Sequence, residues 1–298
     1  MKILVYGALN IDLVFTVDHI ARPGETISSG FLWKSAGGKG ANQAAALAKA
    51  GMETYMAGKI GNDGRFLLEL LESYGVNTER VLIYPGATGQ ALIQVDKNGQ
   101  NSIILYAGGN GEIQQNEIDG ALESFGAGDM ILLQNEIPHI GAIMEKAKKQ
   151  GMKILLNPSP LDESIGKLPL DMVDVFIVNE IEAAALAAET SHALPELTPP
   201  PLILDKLSER FPASEIILTA GKEGAYYAAG TIREKGEIIV LPVVDTTGAG
   251  DTFTGYYIAA REKQFGVPEA LKLACKAASI AVSRKGAMQS IPNKDEVF

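Results

Sequence analysis

Short apolar runs alternate along the chain with longer segments that have a helical pattern. The runs have the length of buried strands and lie at Ile3–Tyr6, Thr54–Lys59, Met130–Leu133, Lys153–Leu156, Val175–Val178 and Glu215–Thr219. The segments between them predict helices at Ala41–Ala50, Arg65–Tyr74, Ile140–Gln150, Glu180–Ala188, Leu202–Phe211, Asp251–Lys263 and Pro268–Ser283. This alternation favours an α/β fold in which helices flank both faces of a mostly parallel central sheet.

A second pattern has period two and predicts a separate, small antiparallel sheet. Its members are Ile11–Asp18, Ile27–Trp33, Gln90–Val95 and Ser102–Tyr106, and residues 96–100 read as a hairpin turn between the last two. We predict one domain over residues 1–298, with these lid strands within about 11–33 and 88–106. The apolar face of such a sheet needs cover, which a substrate or a second subunit would supply. The proline-rich segment Ser191–Pro201 is predicted to be a surface loop.

Composition narrows the range of partners. The 298 residues are 46% hydrophobic, the formal net charge is −10 and the pI is about 4.9. A chain this acidic is a poor candidate for nucleic-acid binding, which requires a basic face. No stretch reaches the roughly 18 apolar residues that a membrane span needs. The single cysteine, Cys275, excludes an internal disulfide, and we expect a cytoplasmic protein.

The strongest candidate for chemistry is the motif Asp245–Phe253, which contains Gly248-Ala249-Gly250-Asp251. It lies between the strand-like Glu237–Val244 and a predicted helix. Small residues at a helix start leave backbone N–H groups free to face an anion, and the helix dipole adds positive potential. Asp251 would then accept the proton of a hydroxyl that attacks a phosphate. The alternative is a tight strand-to-helix turn in which Asp251 only caps the helix.

A second glycine-rich motif, Gly37–Ala44, also opens a predicted helix. Lys39 and Asn42 supply hydrogen-bond donors for ligand hydroxyls. The motif is neither a P-loop, because no Gly-Lys is followed by Ser or Thr, nor a dinucleotide fingerprint. By itself it also fits a glycine-rich turn that carries a solvated lysine.

Together, Ala36–Ala44 and Asp245–Gly255 resemble the two signatures of the ribokinase-like (PfkB) family of sugar kinases. The resemblance extends over nearly the whole chain, through Gly7–Asp12, Arg22–Thr26, Thr88–Ile93, Ala107–Asn110, Asn157–Pro160, Asn179–Glu182 and Arg284–Ala287. It implies ATP-dependent phosphorylation of a sugar primary hydroxyl, with D-ribose as the expected substrate and ribose 5-phosphate as the product.

The resemblance also assigns roles to individual residues. Asp251 is the expected base, and the backbone of Gly248, Ala249 and Gly250 is expected to hold the developing charge. The sugar hydroxyls would be bound by Asn10, Asp12, Gly38, Lys39, Asn42, Glu136 and Asp251. ATP would be bound by Asn179, Glu182, Thr219, Gly221, Gly224 and Gly250. Glu136 follows the strand Met130–Leu133, at the sheet edge where open α/β folds bind ligands.

Two cofactors and a quaternary structure follow from the same resemblance. Mg²⁺ would accompany ATP near Glu182, acting through water. K⁺ would be bound by the Asp245 carboxylate, by carbonyls of Thr247, Ala281, Arg284 and Gly286, and by the Ser290 hydroxyl. A homodimer would pair two small sheets.

Three alternatives stay open at this point. The first is another kinase of the same family, which would phosphorylate deoxyribose, fructose, a keto-deoxy sugar acid or a nucleoside. A non-catalytic sugar-binding regulatory module would keep the fold without the reaction. A nicotinamide oxidoreductase is disfavoured because the opening strand lacks the glycine fingerprint.

Overall fold

The computed structural model describes residues 1–188 and 198–298. Within these ranges the strands are β1 Ile3–Tyr6, β2 Asn10–Thr16, β3 Phe31–Gly37, β4 Thr54–Gly61, β5 Asn77–Tyr84, β6 Gly89–Val95, β7 Asn101–Tyr106, β8 Met130–Gln134, β9 Lys153–Asn157, β10 Val175–Asn179, β11 Glu215–Thr219, β12 Ala225–Ala229 and β13 Ile232–Gly236. The α-helices there are α1 Lys39–Lys49, α2 Arg65–Ser73, α3 Ile118–Ala121, α4 Ile140–Lys149, α5 Glu180–Ala187, α6 Pro200–Arg210, α7 Ala249–Glu262, α8 Val267–Val282 and α9 Lys294–Val297.

Nine of these strands form the central sheet, in the order β13-β12-β11-β10-β9-β8-β1-β4-β5. The strands from β11 to β5 are parallel, whereas β12 and β13 pair antiparallel at one edge. The predicted mostly parallel sheet with flanking helices is therefore confirmed. The predictions did not include β5, β12 and β13.

The residues of β1 explain why both faces of this sheet are covered. Ile3 and Val5 point into a core formed with α1, α2, α7 and α8, whereas Leu4 and Tyr6 point into a core formed with α4, α5 and α6. Successive side chains of a strand face opposite sides of a sheet. Since all four are buried, the strand has no polar face, as expected between two helix layers.

The other four strands form the small sheet, in the order β3-β2-β6-β7. Its outer pairs β2–β3 and β6–β7 are antiparallel, as predicted, while the central pair β2–β6 is parallel. Four consecutive residues of the edge strand β7, Ile103 to Tyr106, are each 51–59% exposed. This sheet therefore presents apolar surface that none of the described residues covers.

Two strand predictions need correction. The strand predicted at Ile27–Trp33 is β3, Phe31–Gly37, because its hairpin with β2 starts at the Thr16–Phe31 pair and continues to Asn10–Gly37. The segment Glu237–Val244 is not a strand. The chain leaves the sheet edge after Gly236, and Val240 and Val244 are 85% and 60% exposed. The predicted apolar run is thus a surface segment that leads to α7.

Of the loop predicted at Ser191–Pro201, residues 191–197 lie outside the described residues. At its end, Pro200 and Pro201 belong to α6 instead, since proline is tolerated in the first turn of a helix. In the described ranges, no helix has both the length and the apolar character needed to cross a membrane.

Candidate active site

The two glycine-rich motifs meet because α1 and α7 pack unusually closely. A β-carbon built on Gly255 of α7 would lie 2.4 Å from the β-carbon of Ala46 in α1, so only glycine allows this approach. Asp251 precedes Gly255 by four residues, and Asn42 precedes Ala46 by four. Residues four apart share a helix face, so the contact brings Asn42 and Asp251 together.

The Asp251 carboxylate is held at both oxygens. Asn42 Nδ2 donates to Oδ2 at 2.9 Å, and Gln43 Nε2 donates to Oδ1 at 2.9 Å. Asp251 is only 8% exposed. A buried carboxylate with two amide donors has a defined orientation, and its remaining lone pairs are available to accept a proton or a ligand hydroxyl.

Lys39, Glu136 and Asp12 form a charged cluster next to this carboxylate. The backbone N–H of Lys39 donates to Glu136 Oε2 at 2.9 Å. Burial, with smaller contributions from Glu136 and Asp251, raises the pKa of Asp12 to about 7. Removal from water likewise raises the pKa of Glu136 to about 7, although Lys39 opposes the rise.

The ammonium of Lys39 responds to the same charges in the opposite sense. Burial alone lowers its pKa, but the carboxylates of Asp251, Glu136 and Glu182 outweigh burial and raise the pKa. Lys39 therefore stays protonated among three acids. The cluster offers one cationic donor and several acceptors, which suits a ligand with many hydroxyls.

Asn10 is placed by a residue to which no role had been assigned. Asn110, which is 3% exposed, donates through Nδ2 to Asn10 Oδ1 at 2.7 Å and accepts from the Leu9 N–H at 3.0 Å. This pair ties the start of β2 to the 3₁₀ turn Gly108–Glu112. Asn10 lies at the same end of β2 as Asp12, and Gly38 begins α1 immediately after β3.

A cleft of about 230 Å³ adjoins the cluster at the carboxyl edge of the central sheet. Most of the residues predicted for catalysis and ATP binding line it, namely Asn179, Glu182, Thr219, Gly248, Ala249, Gly250 and Asp251, together with Lys39 from the predicted sugar contacts. Gly248 takes a left-handed conformation (φ 73°) that glycine adopts without strain, and it begins α7. The start of α7, where backbone N–H groups lack acceptors within the helix, thus lines the cleft, although the Ala249 N–H donates to the Thr246 carbonyl at 3.3 Å.

Two of the predicted ATP contacts lie outside this lining. Gly221 and Gly224 bracket a 3₁₀ turn just beyond Thr219, and Gly224 has φ 92°. Gly224 approaches the carbonyl of Gly236 so closely that an added β-carbon would lie 2.0 Å from that oxygen. Its observed role is thus to join β11–β12 to the end of β13.

Asn179 and Glu182 form a reciprocal capping box at the start of α5. Asn179 Oδ1 accepts from the Glu182 N–H at 2.9 Å, while Glu182 Oε2 accepts from the Asn179 N–H at 3.0 Å. Glu182 is 4% exposed and lines the cleft. Among the described residues, no three His, Cys, Asp or Glu side chains cluster as metal ligands, so a divalent ion here would need a ligand's phosphates and water.

Asp245 connects the turn before α7 to the chain after α8. Its Oδ1 accepts from the N–H and the hydroxyl of Thr247 at 2.9 and 2.7 Å, and its Oδ2 accepts from the Gly286 N–H at 3.0 Å. Although burial opposes the effect, these donors lower the pKa of Asp245. Two segments predicted to share a cation are thus in direct contact. Within them, Arg284 pairs with Glu296, and the buried Ser290 hydroxyl donates to the Ala287 carbonyl.

Three buried or partly buried amides near Asp251 had no predicted role. Gln43 contacts Asp251, Gln134 donates to Gln43, and Asn157 accepts from Gln43. Gln134 and Asn157 end the parallel strands β8 and β9, at the edge where ligands bind in open α/β sheets. A polar residue directly after an apolar strand was the sequence signal for both.

Comparison with known proteins agrees with this geometry. The family model "pfkB family carbohydrate kinase" matches residues 1–294. The chain belongs to this family. Its similarity to a ribokinase of Staphylococcus aureus is 33% identity over 99% of this chain and 98% of the relative.

Solved structures of the same family give the same result. The crystal structure of ribokinase from Cryptococcus neoformans in complex with ADP superposes with a TM-score of 0.88 and 36% identity, covering 99% of this chain and 98% of that one. The structure of Arabidopsis thaliana ribokinase complexed with ribose and ATP superposes with a TM-score of 0.85 and 30% identity, covering 99% and 97%. The three-layer pfkB fold with its small sheet is therefore shared.

Proposed function

We propose that this chain is an ATP-dependent kinase that transfers the γ-phosphate to the primary hydroxyl of D-ribose, giving ribose 5-phosphate. The observation that carries the proposal is the buried Asp251 carboxylate, fixed at both oxygens beside the N–H groups that begin α7. Lys39 and Asp251 line the cleft, and the acids Asp12 and Glu136 lie close enough to affect, or be affected by, their charges. Similarity to ribokinases over nearly the whole chain supports the choice of ribose.

On the sugar side, the hydroxyls are bound by Asn10, Asp12, Gly38, Lys39, Asn42 and Glu136. Carboxylates accept from hydroxyls, whereas Lys39 donates and an amide does both. The Asn42 side-chain oxygen is buried and makes no hydrogen bond with any described residue, so it has capacity for a ligand hydroxyl. A site of this kind rejects analogues that leave its buried groups unpaired.

On the nucleotide side, ATP lies along the cleft, with its phosphates at the first turn of α7. Asn179, Glu182, Thr219 and Gly250 line its path, and Gly221 and Gly224 shape the turn beyond it. A magnesium ion fits here through water, because both Glu182 oxygens already accept hydrogen bonds from Asn179 and Mg²⁺ commonly retains water and phosphate ligands. When bound, it neutralises phosphate charge.

The reaction is a direct phosphoryl transfer. The O–H bond of the sugar hydroxyl breaks and its proton passes to Asp251, while its oxygen forms a bond to the γ-phosphorus. The bond from that phosphorus to the bridging oxygen breaks, and ADP leaves with the electron pair. Gly248, Ala249 and Gly250 contribute backbone positive potential where the transferring group gathers charge. Positioning and charge stabilisation account for most of such catalysis.

A monovalent cation activates the enzyme in this proposal. Its ligands are the Asp245 carboxylate, the carbonyls of Thr247, Ala281, Arg284 and Gly286, and the Ser290 hydroxyl, all hard oxygens that suit K⁺. The direct Asp245–Gly286 hydrogen bond supports a shared site. The cation does not touch substrate, and it acts by fixing the turn that leads to Gly248.

The exposed apolar residues of β7 and of β3, where Phe31 is 60% exposed, support a homodimer through the small sheets. A cytoplasmic location, where ATP is plentiful, stays a prediction.

The test is a coupled ADP-release assay on a panel of D-ribose, 2-deoxy-D-ribose, D-fructose, a keto-deoxy sugar acid and a nucleoside. Ribose is expected to give the highest kcat/KM, and a reaction without acceptor gives the background. A higher kcat/KM with another acceptor would show that the proposed substrate is wrong, while the proposed kinase activity would stand. Saturable sugar binding without ADP release from any acceptor would indicate a regulatory module instead.

A further inference from the structure

One buried glutamine contacts the reacting carboxylate but lies outside the residues that grip the sugar. Gln43 is completely buried in α1. Its Nε2 donates to Asp251 Oδ1 at 2.9 Å and to Asn157 Oδ1 at 3.1 Å, which uses both of its N–H bonds. Its Oε1 accepts from Gln134 Nε2 at 2.7 Å.

The orientation of this amide is determined by its neighbours. Asn157 Nδ2 donates to the carbonyl of Ile177 at 2.9 Å, so Asn157 turns its oxygen towards Gln43. A flipped Gln43 would set its own oxygen against that oxygen and against the Asp251 carboxylate, leaving three acceptors without a proton between them. Such buried mismatches are costly. Gln43 is therefore locked as a donor to Asp251.

The two oxygens of Asp251 have different surroundings. Oδ1 is bound to Gln43, whose other contacts are all within the protein. Oδ2 is bound to Asn42, whose side-chain oxygen has no partner among the described residues and which is proposed to bind the sugar. Asn42 makes no other side-chain hydrogen bond among the described residues, whereas Gln43 cannot leave Oδ1 without breaking its hydrogen bonds to Gln134 and Asn157.

From this asymmetry we infer that Gln43 is a positioning residue of the kinase, which anchors Asp251 through Oδ1 and leaves Oδ2 as the oxygen that receives the proton. Gln134 and Asn157 hold Gln43 in its donor orientation. This inference rests on the proposed role of Asp251 as the base. To that role it adds which carboxylate oxygen receives the proton, and it names the three amides, Gln43, Gln134 and Asn157, that determine this choice.

The test variant is Gln43→Met, which keeps the approximate volume and removes the hydrogen bonds. A hydrogen bond to a charged carboxylate corresponds to roughly 10- to 100-fold in rate, and we expect kcat to fall by that factor. KM for ribose should change by less than about threefold, because Gln43 is not one of the residues proposed to bind the sugar.

A double-mutant cycle separates positioning from a structural effect. In the Asp251→Asn background there is no carboxylate to anchor, so adding Gln43→Met should change kcat by less than about twofold. An equal loss in both backgrounds, or wild-type kcat in folded Gln43→Met, would overturn the inference. If Gln43→Met does not fold, Gln134→Met serves, with a fall in kcat at nearly unchanged KM expected and wild-type kcat counting against the inference.

These outcomes are distinct from failure of the proposed function. If the wild-type protein releases no ADP with any sugar, or if Asp251→Asn keeps wild-type turnover, the kinase proposal or its base is wrong. If the wild-type protein is active and Asp251→Asn is not, only the behaviour of Gln43→Met decides the positioning role.

Discussion

The side-chain amide of Asn42 donates a 2.9 Å hydrogen bond to the carboxylate of Asp251, a residue 209 positions later in the chain. Each residue lies in the first turn of its helix, α1 or α7. The hydrogen bond exists because Gly255 and Ala46 let these helices approach one turn further along. The proposed base is thus placed by a helix–helix contact whose residues, Gly255 and Ala46, lie outside the lining of the cleft.

Gly255→Ala is expected to disturb that placement. The new methyl would lie 2.4 Å from Ala46, so α1 and α7 must separate or shift. Overpacking typically costs about 1–3 kcal/mol, which exceeds the roughly 1 kcal/mol gained from alanine's helix propensity. Urea unfolding should show lower stability, and kcat should fall because Asn42 and Asp251 move apart.

Gly141→Ala in α4 is the matched control. A β-carbon there meets nothing closer than 3.5 Å, so the same chemical change should leave kcat unaltered and stability equal or higher. If both variants behave alike, the close packing of α1 and α7 does not position the site.

The raised pKa of Asp12 makes a prediction with a definite sign. Its folded-state pKa of about 7 lies above its ordinary value of 3.8, so the folded protein holds this proton more tightly than the unfolded chain. The stabilisation is fully present below about pH 4 and is lost as the pH rises through 7. Asp12→Asn cannot ionise and should escape that loss.

The measurement is urea unfolding of ligand-free protein from pH 5 to pH 8. The stability of Asp12→Asn relative to wild type should increase with pH, by roughly 1–4 kcal/mol across the range, while its affinity for ribose falls. Asp171→Asn, a change at an exposed acid, should follow the wild-type slope. Parallel slopes for Asp12→Asn and wild type would show that folding does not raise the pKa of Asp12.

The strands that could be predicted from the sequence are those with the same apolar environment on both faces. The six central parallel strands are buried on both faces and therefore appear as plain apolar runs. By contrast, β5 and β13 lie at the sheet edges and carry exposed polar residues such as Glu79 and Arg233. Their mixed pattern resembles that of surface loops.

In the site, likewise, the sequence identifies the residues that lie in a recognisable motif. Asp251 and Lys39 lie in glycine-rich motifs that mark ligand-facing helix starts. Gln43 lies in one of these motifs beside Asn42, but its partners Gln134 and Asn157 are 91 and 114 residues away. Its position in the motif does not show that it contacts Asp251 and not solvent. Only the packing of α1 against β8 and β9 brings the three amides together.

Activation by K⁺ tests the proposed cation site. At constant ionic strength, kcat should be highest in K⁺ and lower by roughly tenfold in tetramethylammonium, because the turn before Gly248 loses its bridging cation. Na⁺ and Li⁺ complete the series. Asp245→Ala should abolish the difference, while Asp171→Ala should keep it. Equal rates of the wild-type enzyme in all four salts would exclude a functional cation.

The apolar residues exposed on the small sheet lead us to expect a homodimer. Light scattering at micromolar concentration should give twice the mass of the 31.6-kDa chain. Ile104→Lys places a charge on β7 and should yield monomers. Ile232→Lys, at a similarly exposed isoleucine on β13, should leave the dimer intact. A monomeric wild-type protein, or dimers in both variants, would contradict pairing through the small sheet.

Removal of the Asp251 carboxylate tests the central claim most directly. Asp251→Asn preserves the shape of the side chain but cannot receive the hydroxyl proton, and loss of a general base typically costs 10²–10⁴-fold. ADP release with saturating D-ribose and ATP, compared between wild type and Asp251→Asn, is the measurement, with ribose affinity followed by calorimetry. The account predicts a kcat lower by at least about 100-fold and ribose binding that changes far less. A variant that retains more than about a tenth of wild-type turnover would contradict it.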